Sequence, residues 1–341
     1  MNQWIKVIAG LLLCGGLYGY YSFSAANVPP SLNDNILKIP TGCTRDSLPA
    51  VLLDQGFILD TNSYKRWSNL MDFQTVRSGR YKIAPNWSNY QLIRHLQRSE
   101  QVSVKIMLNT EKNAKQIAAK LSKSLEADSL AFITAFSDTL ALDSLGLKPE
   151  TLQTVIFPDT YEFYWNTSPA AFLKKMVKKH KAFWTEARLA KAQTAHLTPL
   201  QVHIMASIVE GEASHNDERA RVAGVYLNRL QKNILLQADP TVQYALMDIY
   251  GGGYRRLYNK DYQFAHRYNT YINLGLPPGP VGLASPASID AVLSPETHEY
   301  IYFCAKPDNS GYHNFAVTHE AHLINVKNYQ NWKQNKTNSS N

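Results

Sequence analysis

Two carboxylates close a long apolar run: Val202-His203-Ile204-Met205-Ala206-Ser207-Ile208-Val209 is followed at once by Glu210, Gly211 and Glu212. A carboxyl group at the buried end of such a run loses hydration, which disfavours its charged form and lets it hold a proton near neutral pH, as a general acid must. Glu210 is therefore the candidate catalytic acid. The plainer alternative is that Gly211 ends a helix and leaves Glu210 and Glu212 in solvent. On a helix, acids two residues apart point in different directions and do not form the facing pair of a two-carboxylate glycosidase, so a single acid has to suffice.

Other chemistries fail on spacing. His319-Glu320-Ala321-His322 sets its histidines three apart rather than the four of the metalloprotease helix and has no evident third ligand, so no metal is expected. There is no Gly-x-Ser-x-Gly elbow, no phosphate-cradling Gly-x-x-x-x-Gly-Lys and no Gly-x-Gly-x-x-Gly, and no cofactor is called for. The three cysteines, Cys14, Cys43 and Cys304, lack the paired spacings of a zinc site or disulfide framework; at most one bridge, Cys43 to Cys304, is conceivable.

The element that must carry the acid is well marked. Thr198, Pro199 and Gln201 supply an N-cap, a proline at the first helical position and a capping-box partner, and with only His203 and Ser207 polar thereafter the helix belongs inside a domain. Around it, Ser168-Pro169 opens a long helix, Ser214 can cap a helix through Val222 to Leu230, and Asp239-Pro240-Thr241 starts another. Gly275-Leu276-Pro277-Pro278-Gly279-Pro280 makes a stiff loop able to wall a cleft. Residues 288–293 read as a helix, 300–303 and 312–317 as strands, and Thr318 caps a last helix before a polar tail expected to be disordered from Gln334.

Upstream, residues 35–136 alternate short strands with small helices. Ile36-Leu37-Lys38-Ile39 is a strand, Thr41 can cap a helix that Gly56 stops, Arg80-Tyr81-Lys82-Ile83 is a second strand, and Ser88-Asn89-Tyr90-Gln91 is a capping box. Ile156 to Trp165 is dense in aromatics and reads as a packed strand or a sugar-stacking platform. At the N-terminus, Lys6 precedes an uncharged stretch whose first part, residues 7–23, is apolar and about long enough to span a bilayer. A single-pass anchor is expected, with a signal peptide cleaved near Ser24-Ala25-Ala26 the rival reading. Either exports the bulk of the chain. The net charge of +8 then suits a membrane surface or an acidic wall polymer and not nucleic acid.

The expected fold class is α+β: an N-terminal transmembrane helix (cytoplasmic tip and anchor, residues 1–30), a small α/β module (31–136), a mixed α+β catalytic domain (137–333) and a tail (334–341).

Five blocks in one order carry a resemblance: Ala206-Ser207-Ile208-Val209-Glu210-Gly211-Glu212, Val225-Tyr226-Leu227-Asn228-Arg229-Leu230, Leu236-Gln237-Ala238-Asp239-Pro240-Thr241-Val242, Tyr268-Asn269-Thr270-Tyr271 and the Gly275 to Pro280 loop. With Phe157-Pro158-Asp159-Thr160-Tyr161 and His313-Asn314-Phe315, they make the chain similar to the endolytic murein transglycosylases of the YceG-like (MltG) family. The first module resembles the family's LysM-like region by its strand and helix pattern only. The resemblance implies an inner-membrane protein whose extracytoplasmic domain cuts peptidoglycan glycan strands between N-acetylmuramic acid and N-acetylglucosamine without water, leaving 1,6-anhydro ends. It also implies termination of nascent strands beside the synthesis machinery. The Glu matching Glu210 is the family's acid. Gln237, Asn269, Thr270 and Tyr271 are candidates to hold the acetamido groups, and Glu212 to influence the charge on Glu210, with structural roles the alternative for each. A muramidase-type hydrolase on the same site and a non-catalytic wall-binding scaffold remain as other readings.

Overall fold

Short strands and capped helices alternate through the first part of the chain, as their local signals predict. The computed structural model describes residues 7, 8, 10, 14, 15, 19, 20, 23–98 and 100–338. β1 (Ile36–Ile39) pairs antiparallel with β2 (Gly79–Lys82), with Ile36 opposite Lys82 and Ile39 opposite Gly79. The period-2 alternation turns Leu37, Ile39 and Tyr81 inward. They meet Leu48 and Leu52 of α1 (Leu48–Asp54), Tyr64 of α2 (Thr61–Leu70) and Leu92, Ile93 and Leu96 of α3 (Asn89–Arg98) in one core. The box at Ser88 forms as expected, the Ser88 N–H donating to Gln91 Oε1 at 2.9 Å. Thr41, in contrast, does not cap α1. The helix begins seven residues later, because Pro49 can occupy only its first turn and the Thr44–Ser47 hydrogen bonds close a separate turn before it.

β3 (Ser103–Leu108) and β4 (Asp159–Tyr164) form a second two-stranded sheet. Between them lie α4 (Ala114–Ser122), α5 (Ser129–Ser137) and α6 (Thr139–Ser144). The chain divides into two compact units, Met1–Ile106 with Ser124–Ala127 and Glu162–Ser168, and Met107–Lys123 with Asp128–Tyr161 and Pro169–Asn341.

The second unit is mostly helical. After α7 (Pro169–Phe183) and α8 (Glu186–Thr194) comes α9 (Pro199–Glu212), then α10 (Arg219–Gln231), α11 (Asp239–Tyr250) and α12 (Pro286–Leu293). β5 (Tyr302–Ala305) pairs antiparallel with β6 (His313–Ala316), and α13 (His319–Asn338) covers that hairpin. The whole is a mixed α+β fold. α9 starts where its signals put it: the Gln201 N–H donates to Thr198 Oγ1 at 3.2 Å, and Thr198 N–H donates to Gln201 Oε1 at 2.8 Å. Every residue from Val202 to Val209 is buried, against Val222 and Tyr226 of α10, Ala245 of α11 and Ile289 and Val292 of α12. Full burial of each aliphatic side chain in it contributes about 1.5–3 kcal/mol, which is what holds so apolar a helix inside the unit.

One alternative and two expectations are corrected. Gly211 does not end α9, which runs on through Glu212. Ser214 does not cap α10; a 3-10 turn, Asn216–Glu218, intervenes and α10 begins at Arg219. The polar segment from Gln334 continues α13 as far as Asn338, since it contains neither glycine nor proline to stop a helix. The anchor expected over residues 7–23 lies largely outside the described residues, among which no helix is long and apolar enough to cross a membrane. Cys43 and Cys304 are free thiols.

Candidate active site

The end of α9 places its two carboxylates in opposite surroundings. Glu210 is tied into a cage of donors. Arg219, the first residue of α10, donates from Nη2 to Oε1 at 3.0 Å. Ser285 caps α12 and donates to Oε2 through its backbone N–H at 3.1 Å and through its hydroxyl, and Ser288 Oγ donates to the same oxygen at 2.7 Å. Arg219 Nη1 also reaches Ser285 Oγ at 2.8 Å. The carboxylate thus sits on the N-terminus of α12, where uncompensated N–H groups favour an anion. Burial pushes the Glu210 carboxyl upward, but the Ser285 and Ser288 hydroxyls, the Ser285 N–H and the Arg219 charge together bring it below the ordinary glutamate value. The expectation that Glu210 keeps a proton near neutrality is therefore corrected: its charged form is the one this cage stabilises.

Glu212 carries the property expected of Glu210. It accepts a hydrogen bond from Tyr226 Oη at 3.1 Å and another from the Asp239 backbone N–H. Burial, then the adjacent Asp239 carboxylate, pushes it up to about 8, above what those two hydrogen bonds take back. A carboxyl so placed is protonated at pH 7. Asp239 is itself raised by burial and accepts from Tyr271 Oη at 2.7 Å. The expectation of a lone acid is thereby corrected as well: a second carboxylate stands beside Glu212, brought there by the first turn of α11.

Glu212 and Asp239 line a cavity of about 530 Å³ together with Gln237, Tyr262, Tyr271, Phe303 and His313. Tyr262 and Tyr271 meet at 4.5 Å between ring centres with their planes tilted by 43°, an aromatic wall suited to the apolar faces of a sugar. Gln237 sits at φ 51°, in the left-handed region, and its Oε1 accepts from Arg229 Nη1 at 3.1 Å. Arg229 is otherwise occupied by the carbonyls of Leu235, Leu236 and Ile301.

Of the residues singled out in the sequence, the structure brings Glu212, Gln237 and Tyr271 to this cavity. Glu210, Asn269 and Thr270 do not line it. Asn269 is buried and spends its amide on the carbonyls of Tyr262 and Phe264, and its Oδ1 on the Tyr271 N–H. Thr270 Oγ1 is shared between the Ala238 N–H and Thr241 Oγ1. Both shape the loop that presents Tyr271 and Gln237. Sequence reasoning missed Tyr226 and Asp239, and with them Arg219, Ser285 and Ser288. The Ser285-Pro286-x-Ser288 spacing was a usable signal, because it marks a helix N-terminus able to receive an anion.

The second unit is thus a helix-rich α+β body that holds a buried carboxyl, raised above its ordinary value, in a tyrosine-lined cavity. A sequence model of the YceG-like family matches residues 37–328, and the chain belongs to that family. Among characterised relatives, it is 34% identical over 208 residues to the endolytic murein transglycosylase of Bacillus subtilis, covering 60% of this chain and 56% of that protein. It is 24% identical over 366 residues to the endolytic murein transglycosylase of Streptococcus pneumoniae serotype 2, covering 96% of this chain and 65% of that one. The chain thus spans a little over half to just under two thirds of these relatives. A YceG-like protein of Listeria monocytogenes, solved by crystallography at 2.6 Å, superimposes with a TM-score of 0.58 at 27% identity, over 85% of this chain and 97% of that one.

Proposed function

We propose that this protein is an endolytic lytic transglycosylase acting on peptidoglycan glycan strands, with Glu212 as its acid. The observation that carries the reading is a carboxyl held up at about 8 in a tyrosine-walled cavity; the family membership and the names of the relatives support the same substrate. The Glu212 carboxyl donates its proton to the glycosidic oxygen as the bond to the muramic C1 breaks. The resulting carboxylate then takes the proton of the muramic C6 hydroxyl, whose oxygen closes onto C1 as a 1,6-anhydro ring. One carboxyl serves both halves, no water is consumed, and the proton balance closes.

Asp239 supports a second reading, muramidase-type hydrolysis, because a carboxylate beside the acid is what water activation requires. Mass spectrometry of products from purified protein on glycan strands separates the two, since hydrolytic products carry one more water and a reducing end. The same assay assigns the acid. Glu212→Gln is expected to lower release of anhydro-ended products by about 10²–10⁴-fold, the usual contribution of a general acid; full activity in that variant together with silence in Glu210→Gln would transfer the role to Glu210.

The apolar stretch at residues 7–23 supports a single-pass anchor in the inner membrane with this domain outside, where strands emerge from the synthesis machinery and where their growth could be terminated. The strand and helix pattern of the first unit supports a LysM-like role in holding glycan.

A further inference from the structure

We infer that Asp239 is a positioning residue whose carboxylate, fixed by Tyr271 and set against Glu212 by the first turn of α11, decides the pH range over which Glu212 can act as an acid. This deepens the proposed transglycosylase site and rests on it.

The geometry is specific. Asp239 and Glu212 line the same cavity, and the Asp239 backbone N–H and side-chain charge both act on the Glu212 carboxyl. Its Oδ1 is held at 2.7 Å by Tyr271 Oη, so the charge cannot swing away from the cavity. Gly211 makes the approach possible: a Cβ there would lie 2.8 and 2.9 Å from Cγ and Cβ of Pro240, the residue that follows Asp239. Close packing of α9 on α11 and proximity of the two acids are thus one feature.

The other groups around Glu212 add no second negative charge to its surroundings. On its own helix, Glu210 is neutralised by Arg219. From α10, Tyr226 only donates to Glu212, and Arg229 is spent on carbonyls and on Gln237. Tyr254, Tyr262 and Tyr271 are pushed upward by burial and stay neutral phenols. Across the cavity, burial keeps the Cys304 thiol protonated and His322 neutral, while His313 Nδ1 is engaged by Glu218 at 2.7 Å. Among the described residues lining the cavity, Asp239 is the anion left to act on Glu212. Two neighbouring carboxylates resist ionising together, so the pair titrates as a unit, and the first proton lost leaves the second held more tightly.

Asp239→Asn tests this, since Asn keeps the size of Asp, the backbone donor and an oxygen for Tyr271. Activity that depends on a protonated Glu212 is lost as pH rises through its pKa. Removing the neighbouring anion lowers that pKa, so the alkaline limb of the kcat/KM profile moves to lower pH by about one unit. The variant then falls about tenfold below wild type at pH 8.5 and stays close to it at pH 6. Asp239→Glu restores the charge and moves the limb back. A uniform loss at every pH, or an unmoved limb, in a folded Asp239→Asn variant overturns the inference while leaving the transglycosylase reading intact. If Glu212→Gln retains wild-type activity, the underlying reading itself fails.

Discussion

The two faces at the end of α9 give one side chain two fates. Glu210 and Glu212 share a helix, an apolar flank and partial burial, yet Glu210 meets three side-chain donors and a helix N-terminus, whereas Glu212 meets one phenol, one amide and another acid. Loss of hydration acts most strongly on both and pushes both upward. What separates them is the sign of what the neighbouring helices present. α10 and α12 offer a guanidinium and serine hydroxyls on one side, and α11 offers a carboxylate on the other. Burial alone therefore does not make a general acid; burial without cationic compensation does.

The sharpest break of this contrast comes from removing each charge in turn. Glu210→Gln leaves Arg219 at 10% exposure with no anion, and the cost is expected to be about 2–3 kcal/mol, below the full range for a buried pair because Glu210 retains 23% exposure. Calorimetry should show a fall in Tm of roughly 5–10 °C for a unit of this size. Glu212→Gln replaces a carboxyl already protonated at pH 7 by a neutral group of the same shape, and its Tm should stay within about 2 °C of wild type. Loss of activity with stability kept in one variant, and loss of stability in the other, is the pattern the two environments require. The reverse pattern would exchange their roles.

Gly211 sharpens the comparison from the packing side. Gly211→Ala gains about 1 kcal/mol of helix propensity but forces a methyl onto the Pro240 ring, at about 1–3 kcal/mol. The net expectation is a destabilisation of about 1 kcal/mol in denaturant unfolding. Because Pro240 moves with Asp239, kcat should fall more than KM changes. A variant as stable and as active as wild type would mean that the close approach of α9 and α11 is incidental.

How much of this was legible in the sequence follows from the range of each interaction. α9 was read to the residue at its start because its cap, proline and apolar run are contiguous, and the box at Ser88 and the strand at Ile36 were legible for the same reason. Its end was not. Gly211 suggests a stop, but the Pro240 ring packed against it asks for a small residue inside the helix instead. The protonation of the two acids was misread because Arg219 lies 9 residues from Glu210, and Ser285 and Ser288 lie 75 and 78 away. No pattern at helical spacing contains those partners. Asp239 was visible only as a helix start, although an acid in the first turn of a helix that packs on α9 was always close enough to matter. Residues 334–338 show the converse, since polarity was mistaken for a stop signal where the chain has no breaker.

The smallest expected effect tests whether the phenol belongs to the acid's environment or merely fills space. Tyr226 Oη donates to Glu212 Oε1 at 3.1 Å, which favours the carboxylate form and so opposes the influence of burial and of Asp239. Tyr226→Phe keeps the buried ring against Phe303 and removes only that donor. The Glu212 carboxyl should then rise further, and the alkaline limb of the kcat/KM profile should move to higher pH by less than about one unit, the scale of a single hydrogen bond from a neutral donor. This shift is opposite in direction to that of Asp239→Asn. A set of variants on neighbouring helices that moves one limb both ways identifies the titrating group as Glu212, because Glu210, held by Arg219 and the serines, touches neither side chain. Were both variants to move the limb in the same direction, or were Tyr226→Phe to leave it in place while Ser288→Ala moved it, the proton would have to be sought on the other face of α9.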